Sequence, residues 1–152
     1  MDQELVRALK AAFASEYAFY LKAQNFHWNV EGDDFYELHG LFGQIYEEVG
    51  GILDDFAENI RKCQAYAPAS FTSLDLLSVV AGQDGKLDCD GMLQQLLLDS
   101  DNLATMFASV YDRANSAREF GLANFLADRQ DAHRKHSWML RASLVQEPNE
   151  QD

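Results

Sequence analysis

Residues 25–61 read NFHWNVEGDDFYELHGLFGQIYEEVGGILDDFAENIR, and this stretch decides the fold of the chain. It contains two of the four histidines, His27 and His39. It also contains Asp54 and Glu58, two carboxylates that share a helix face because residues four positions apart are neighbours on a helix. Apolar residues return every three or four positions in its second part, which predicts a long amphipathic helix. These apolar positions are Phe35, Leu38, Phe42, Ile45, Val49, Ile52, Phe56 and Ile60.

The same spacing continues on both sides of this stretch and predicts four long helices and a short one. The long helices are expected at residues 2–29, 34–63, 91–117 and 121–144. Thr72 or Ser73 would cap the short helix, which would end at Val80. The sequence shows no strand pattern and no internal repeat. We therefore expect an all-α four-helix bundle with a short crossover helix between the second and third long helices.

Length and composition are typical of a single globular domain. The chain has 152 residues, of which 47% are hydrophobic and only two are proline, so a folded domain over residues 1–145 is expected. The remaining residues, 146–152, form an acidic tail that is predicted to be disordered.

Charge and cysteine content restrict the partners and the compartment. The formal net charge of −13 argues against binding of nucleic acid through the folded surface. Cys63 and Cys89 form no CxxC pattern, and the N-terminus lacks the character of a signal peptide, so a cytoplasmic protein is expected. No apolar run is long enough to cross a membrane.

The spacing of His39 and Asp54 raises the question of a shared site. They are fifteen residues apart on one predicted helix, or about 22 Å, and cannot bind one ion within a single continuous helix. A second copy running antiparallel across a two-fold axis near Tyr46 and Glu47 would place His39 opposite Asp54 of the partner subunit. Two identical sites would result, each with Glu58 beside Asp54. His27, near the end of the first helix, would reach the same place.

Two glycines lie symmetrically about the same two-fold axis, since positions 43 and 50 have the same midpoint as positions 39 and 54. Gly43 and Gly50 each cost about 1 kcal/mol in a helix interior. Their mirrored positions predict a close backbone approach across the two-fold axis. Gly51 does not fit the mirror and has no explanation in the sequence.

Two imidazoles and two carboxylates suit iron(II), manganese(II) or zinc(II). Cysteine is absent from the set, which disfavours a structural zinc site. The alternative for each residue is a structural role, because solvated acid pairs and packed histidines are common. The Glu-x-x-His motif of ordinary di-iron bundles does not occur in this sequence.

At this point the chain resembles a known family, the Dps proteins (DNA-binding proteins from starved cells, or mini-ferritins), within the ferritin-like superfamily. The resemblance covers nearly the whole chain and is weakest at residues 81–90. It is carried by the stretch NFHWNVEG at residues 25–32, by YAP at residues 66–68 and by KHSWML at residues 135–140. Further matching positions are Phe35, Leu38, His39, Asp54, Ala57, Glu58 and Arg61.

The resemblance implies a ferroxidase that works inside a homo-dodecamer built on two-fold dimers. In that family, His27 and His39 of one subunit and Asp54 and Glu58 of its neighbour would bind iron, with zinc or manganese as substitutes. Hydrogen peroxide, or oxygen, would oxidise the iron(II), and ferric mineral would be stored in the cavity. Trp28 resembles a tryptophan that quenches stray oxidising equivalents.

The chain departs from the family pattern at some positions, and the resemblance also implies a route by which iron enters the shell. Many relatives carry an aspartate where this chain has Gly43, which puts the second iron position in doubt. Glu119 and Asp128 correspond to acidic iron-entry pores, while Asn124 replaces a carboxylate found in some relatives. The chain lacks a lysine-rich terminus, so DNA binding is not expected at physiological salt.

An alternative function stays open. The chain would be a Dps-like structural or DNA-protecting shell if ferroxidase activity were weak or lost.

The two remaining histidines, His133 and His136, are expected to be packing or surface histidines and not ligands.

Overall fold

The computed structural model describes residues 2–144. Within this range the chain forms five helices and no strand, which confirms the predicted all-α bundle with a short crossover helix. The predicted domain end at residue 145 and the acidic tail at residues 146–152 lie outside the described residues. The helices are α1 (Gln3–Asn29), α2 (Phe35–Lys62), α3 (Phe71–Leu77), α4 (Cys89–Ser116) and α5 (Phe120–Ser143).

Side-chain caps set several helix starts. Asp2 accepts from the backbone N–H groups of Glu4 and Leu5, and Asp88 accepts from Gly91. The predicted cap of the short helix at Thr72 or Ser73 is wrong. Ser70 has an extended backbone that lets its hydroxyl accept from the N–H of Ser73, so α3 begins earlier than expected.

The short helix also ends earlier than predicted, at Leu77 and not at Val80. Ser78 adopts an extended backbone there. Its hydroxyl accepts from the N–H of Val80 and donates to the carbonyl of Val80. This local pairing competes with a further helical turn.

The apolar stripes meet in one core between the four long helices. α1 packs on α2 and α4 packs on α5, while α1 also contacts α4 and α3. Burial of each large side chain contributes about 1.5–3 kcal/mol. The fully buried aromatic residues are Phe19, Phe26, Phe42, Phe56 and Phe107.

Helices α1 and α2 approach closely at two glycines. A Cβ atom at Gly43 would lie 2.8 Å from Cε1 of His27, and one at Gly50 would lie 2.8 Å from Cε2 of Tyr20. Both close approaches occur inside one chain and give each glycine an intrachain neighbour. The contact across a two-fold axis stays a prediction. Gly51 has no atom of the described residues within 4 Å of such a Cβ.

A buried ionic network crosses the middle of the bundle. Arg129 on α5 is 3% exposed. Its guanidinium donates to Glu16 of α1 at 3.2 and 3.3 Å, and to Glu48 of α2 at 2.7 and 3.0 Å. One side chain of α5 therefore ties together two other helices through charge-assisted hydrogen bonds.

The two histidines of α5 complete this network. Nε2 of His133 lies 2.7 Å from Oε1 of Glu16, and Nε2 of His136 lies 2.7 Å from Oε1 of Glu48. Both imidazoles are buried. Of the two predicted alternatives, packing or surface histidines, the structure shows packing for both His133 and His136.

Candidate metal centre

The last turn of α1 and the first turns of α2 bring His27 and His39 together. Their rings stack with centroids 3.8 Å apart and an angle of 14° between the planes. Nδ1 of His27 lies 2.6 Å from the backbone oxygen of His39, and Nδ1 of His39 lies 2.6 Å from the backbone oxygen of His27. The two residues thus exchange hydrogen bonds across the break between the helices.

This exchange determines which nitrogen faces a ligand. A carbonyl oxygen only accepts, so each Nδ1 carries a proton and donates it. In the neutral imidazole, Nε2 then keeps its lone pair. An imidazole whose other nitrogen donates to a carbonyl is the usual form of a metal-binding histidine. His27 and His39 are half-buried, which leaves one side of the pair accessible.

The carboxylates lie farther along α2 on its exposed face. Asp54, Asp55 and Glu58 each offer an oxygen within 4.8 Å of the others, an arrangement that could hold a cation. The hydrogen bond and the charge of Asp54 raise the pKa of Glu58. A cation that displaced the shared proton would relieve the repulsion between these acids.

The chain does not bring these two groups together. α2 is continuous from Phe35 to Lys62, so His39 and Asp54 are separated by about 22 Å along its axis. Among residues 2–144, no cluster of three potential ligands includes a histidine. A single copy therefore presents an imidazole half-site where α1 turns into α2 and a carboxylate half-site farther along α2.

Trp28 is adjacent to His27 in sequence but 62% exposed. Its indole lines a surface groove with Asn25, Glu31 and Lys86. The ring is therefore accessible from outside this chain.

Glu119 and Asp128 line a second groove, of about 580 Å³. Asp55 and Glu58 of α2 line the same groove. The structure thus connects the two predicted pore residues with the carboxylate half-site, a connection that the sequence did not reveal.

Sequence reasoning also missed Asp55 and the buried network. The Asp54-Asp55 pair was visible, but adjacent residues usually point to different sides of a helix. Arg129 was detectable in principle, because it falls on the buried face of α5 together with Leu122, Leu126, His133 and Leu140. A charged residue at such a position predicts a buried partner.

None of the helices within residues 2–144 is both long and apolar enough to span a bilayer.

Comparison with known proteins identifies close similarities over nearly the full length. The family model described as "Ferritin-like domain" matches residues 6–148. A "DNA protection during starvation protein" of Brevibacillus brevis is 31% identical over 144 residues, which cover 93% of this chain and 96% of that protein.

Two solved structures share the fold. The Dps structure from Thermosynechococcus elongatus superposes with a TM-score of 0.93 at 23% identity, covering 99% of this chain and 96% of that chain. A DPS protein from Vibrio cholerae O1, described as a member of a broad superfamily of ferritin-like diiron-carboxylate proteins, has a TM-score of 0.89 at 26% identity, covering 94% of this chain and 90% of that chain.

Proposed function

Because this chain belongs to the ferritin-like family and, within it, to the Dps proteins, we propose that it is a ferroxidase that stores iron. Family membership supports iron binding and iron storage in general. The specific proposal is that iron(II) is oxidised at sites between subunits, with hydrogen peroxide as the preferred oxidant. The ferric product collects inside a shell of twelve subunits.

The observation that carries this proposal is the exchanged hydrogen bonding of His27 and His39. It leaves two Nε2 lone pairs side by side, with no carboxylate among residues 2–144 placed to complete the site. The exposed acids of α2, Asp54 and Glu58, supply the missing ligands from a second copy. Mixed nitrogen and oxygen ligands suit iron(II), and also zinc(II) or manganese(II) as substitutes.

The proposed reaction at these ligands is the oxidation of iron(II) by hydrogen peroxide. Two iron(II) ions give up one electron each, and one hydrogen peroxide takes up both electrons and two protons to form two water molecules. Taking both electrons at one site prevents release of a hydroxyl radical. The carboxylates of Asp54 and Glu58 offset the charge of the ferric products, which then hydrolyse to mineral.

Two neighbouring features fit roles in the same reaction. The indole of Trp28, exposed and one residue after His27 in the sequence, would reduce an oxidising species that escaped. Glu119 and Asp128 would guide iron(II) inward, because their groove also contains Asp55 and Glu58 and negative charge concentrates cations.

The second candidate function is a Dps-like structural shell in which oxidation is weak. The absence of a carboxylate at Gly43 favours it, because the second iron position has fewer ligands. The surface charge gives no support for DNA protection by direct contact.

Mixed assembly tests whether the site is shared between subunits. The variant Asp54→Ala/Glu58→Ala and the variant His27→Ala/His39→Ala should each assemble but lose rapid iron oxidation. A random equal mixture of the two, co-assembled, contains the intact combination at about one quarter of its two-fold sites. We expect about a quarter of the normal fast phase, measured by ferric absorbance.

The unmixed variants are the controls for this experiment. A mixture as inactive as either variant alone would reject a site built from two chains. Rapid oxidation by the unmixed Asp54→Ala/Glu58→Ala protein would reject the assignment of the ligands.

Stoichiometry separates the two candidate functions. Anaerobic loading with iron(II), followed by a peroxide pulse, should consume about two irons per peroxide if a paired site works. Slow oxidation with detectable hydroxyl radical would favour the structural shell.

A further inference from the structure

The imidazole half-site contains one residue whose lack of a side chain is needed. Gly43 is buried one helical turn after His39. A Cβ atom at this position would lie 2.8 Å from Cε1 and 2.9 Å from Nδ1 of His27. Such distances are shorter than van der Waals contact, so the ring of His27 occupies the space that any other side chain would need.

The glycines of α2 differ in this respect: Gly50 also has a close neighbour, Tyr20, but two others have none. Gly40 and Gly51 would place a Cβ with no atom of the described residues within 4 Å. A glycine inside a helix costs about 1 kcal/mol relative to alanine. At Gly43, unlike at Gly40, the close contact with His27 gives a reason for that cost.

We propose that Gly43 is a positioning residue that seats the imidazole of His27 for ion binding. The contact with Gly43 places Nδ1 of His27 on the backbone oxygen of His39 at 2.6 Å. That hydrogen bond selects the protonated nitrogen and directs Nε2 outward. The proposal rests on the proposed role of His27 as a ligand.

An acidic residue at position 43 should not strengthen metal binding in this chain. Where relatives carry aspartate, a restored carboxylate would be expected to complete the second iron position. In this chain the Cβ of an aspartate would already overlap the ring of His27. Gly43→Asp should therefore displace one ligand while adding another, and Gly43→Ala should displace the same ligand and add none.

Cobalt(II) titration of the assembled protein under anaerobic conditions measures the effect without iron oxidation. Loss of a hydrogen bond that orients a metal ligand typically weakens binding about 10- to 100-fold. We expect a loss in this range for Gly43→Ala, and no stronger binding for Gly43→Asp than for the normal protein. The matched control Gly40→Ala lies one turn away and should stay within about twofold, because its Cβ meets open space.

A double-mutant cycle with His27→Ala distinguishes seating of the ring from a general change in α2. Once the imidazole is removed, Gly43→Ala should weaken cobalt binding no further. Gly43→Ala should also lower the melting temperature less in the His27→Ala protein than in the normal protein. The cycle therefore remains informative if Gly43→Ala alone fails to assemble.

The outcomes are separable from those of the proposed function. Normal cobalt affinity in Gly43→Ala, or an equal loss with and without His27, would overturn the positioning role while His27 remains a ligand. An unchanged affinity in His27→Ala would overturn both that ligand assignment and the role of Gly43. Tighter binding by Gly43→Asp would also overturn the proposal.

Discussion

Replacing Arg129 by methionine removes the centre of the buried network while keeping a side chain of similar length. The guanidinium donates four hydrogen bonds of 2.7 to 3.3 Å to Glu16 and Glu48. After the replacement, Glu16 keeps only His133 as a charged or polar side-chain partner among the described residues. Its carboxylate is fully buried, so water cannot take the place of the lost donors.

The size of the effect follows from this burial. Removing one member of a buried ion pair costs about 3–5 kcal/mol, because the other charge is left without compensation. For a chain of this length each kcal/mol corresponds to about 2–4 °C in melting temperature. We therefore expect Arg129→Met to lower the melting temperature by about 6–20 °C.

Thermal unfolding followed by circular dichroism, at one fixed protein concentration, measures this difference. The control is Arg141→Met, because Arg141 is 59% exposed and lies 3.6 Å from Asp101. Such a surface pair contributes at most about 1 kcal/mol. Adding Glu16→Gln to Arg129→Met should recover part of the loss, since the uncompensated charge is then gone.

Two results would refute this reasoning. One is a melting temperature for Arg129→Met that falls no further than that of Arg141→Met. The other is a double variant, Arg129→Met/Glu16→Gln, that is less stable than the single variant.

Two further predictions concern acid and DNA. Burial alone would raise the pKa of Glu48, but hydrogen bonds from His136 and Arg129 outweigh it and lower the pKa to about 2. This stabilisation is complete above the ordinary pKa of a glutamate and is lost as the pH falls towards 2. The melting temperature should therefore drop over this pH range, and it should drop less in Glu48→Gln. An equal dependence of the melting temperature on pH in the two proteins would contradict this prediction. With a net charge of −13, the protein should not retain DNA in a gel shift at low or moderate salt, and retention at moderate salt would be the opposing result.

The long helices were predictable because each buries a continuous apolar stripe. Phe42, Val49 and Phe56 recur at helical spacing and are all fully buried. Helix ends were less predictable, since they depend on single side chains. The hydroxyl of Ser70 starts α3, while Thr72 and Ser73 were equally plausible caps from the sequence.

The candidate site was only partly predictable. The distance between His39 and Asp54 follows from the rise of one continuous helix. By contrast, the stacking of His27 on His39 depends on how α1 turns into α2, which no local pattern encodes. The approach of Gly43 to His27 and of Gly50 to Tyr20 was unpredictable for a similar reason, because sequence spacing does not tell which neighbour a glycine approaches.

The buried network was missed because local patterns treat charged residues as surface residues. Arg129, Glu16 and Glu48 come from three helices far apart in sequence. The buried charges of Arg129 and Glu16 are tolerated in the core because each has an oppositely charged partner there. Such pairing is a property of the packed bundle and not of any one segment.

The continuity of α2 has a consequence for how the chain can change in length. α2 is an uninterrupted helix of 28 residues. One residue inserted between His39 and Asp54 would turn the two half-sites by about 100° relative to each other and increase their separation by about 1.5 Å. Extra residues in the loop after α2 would do neither. If a second copy completes the site as proposed, insertions are therefore compatible with it in the loop after α2 but not between His39 and Asp54.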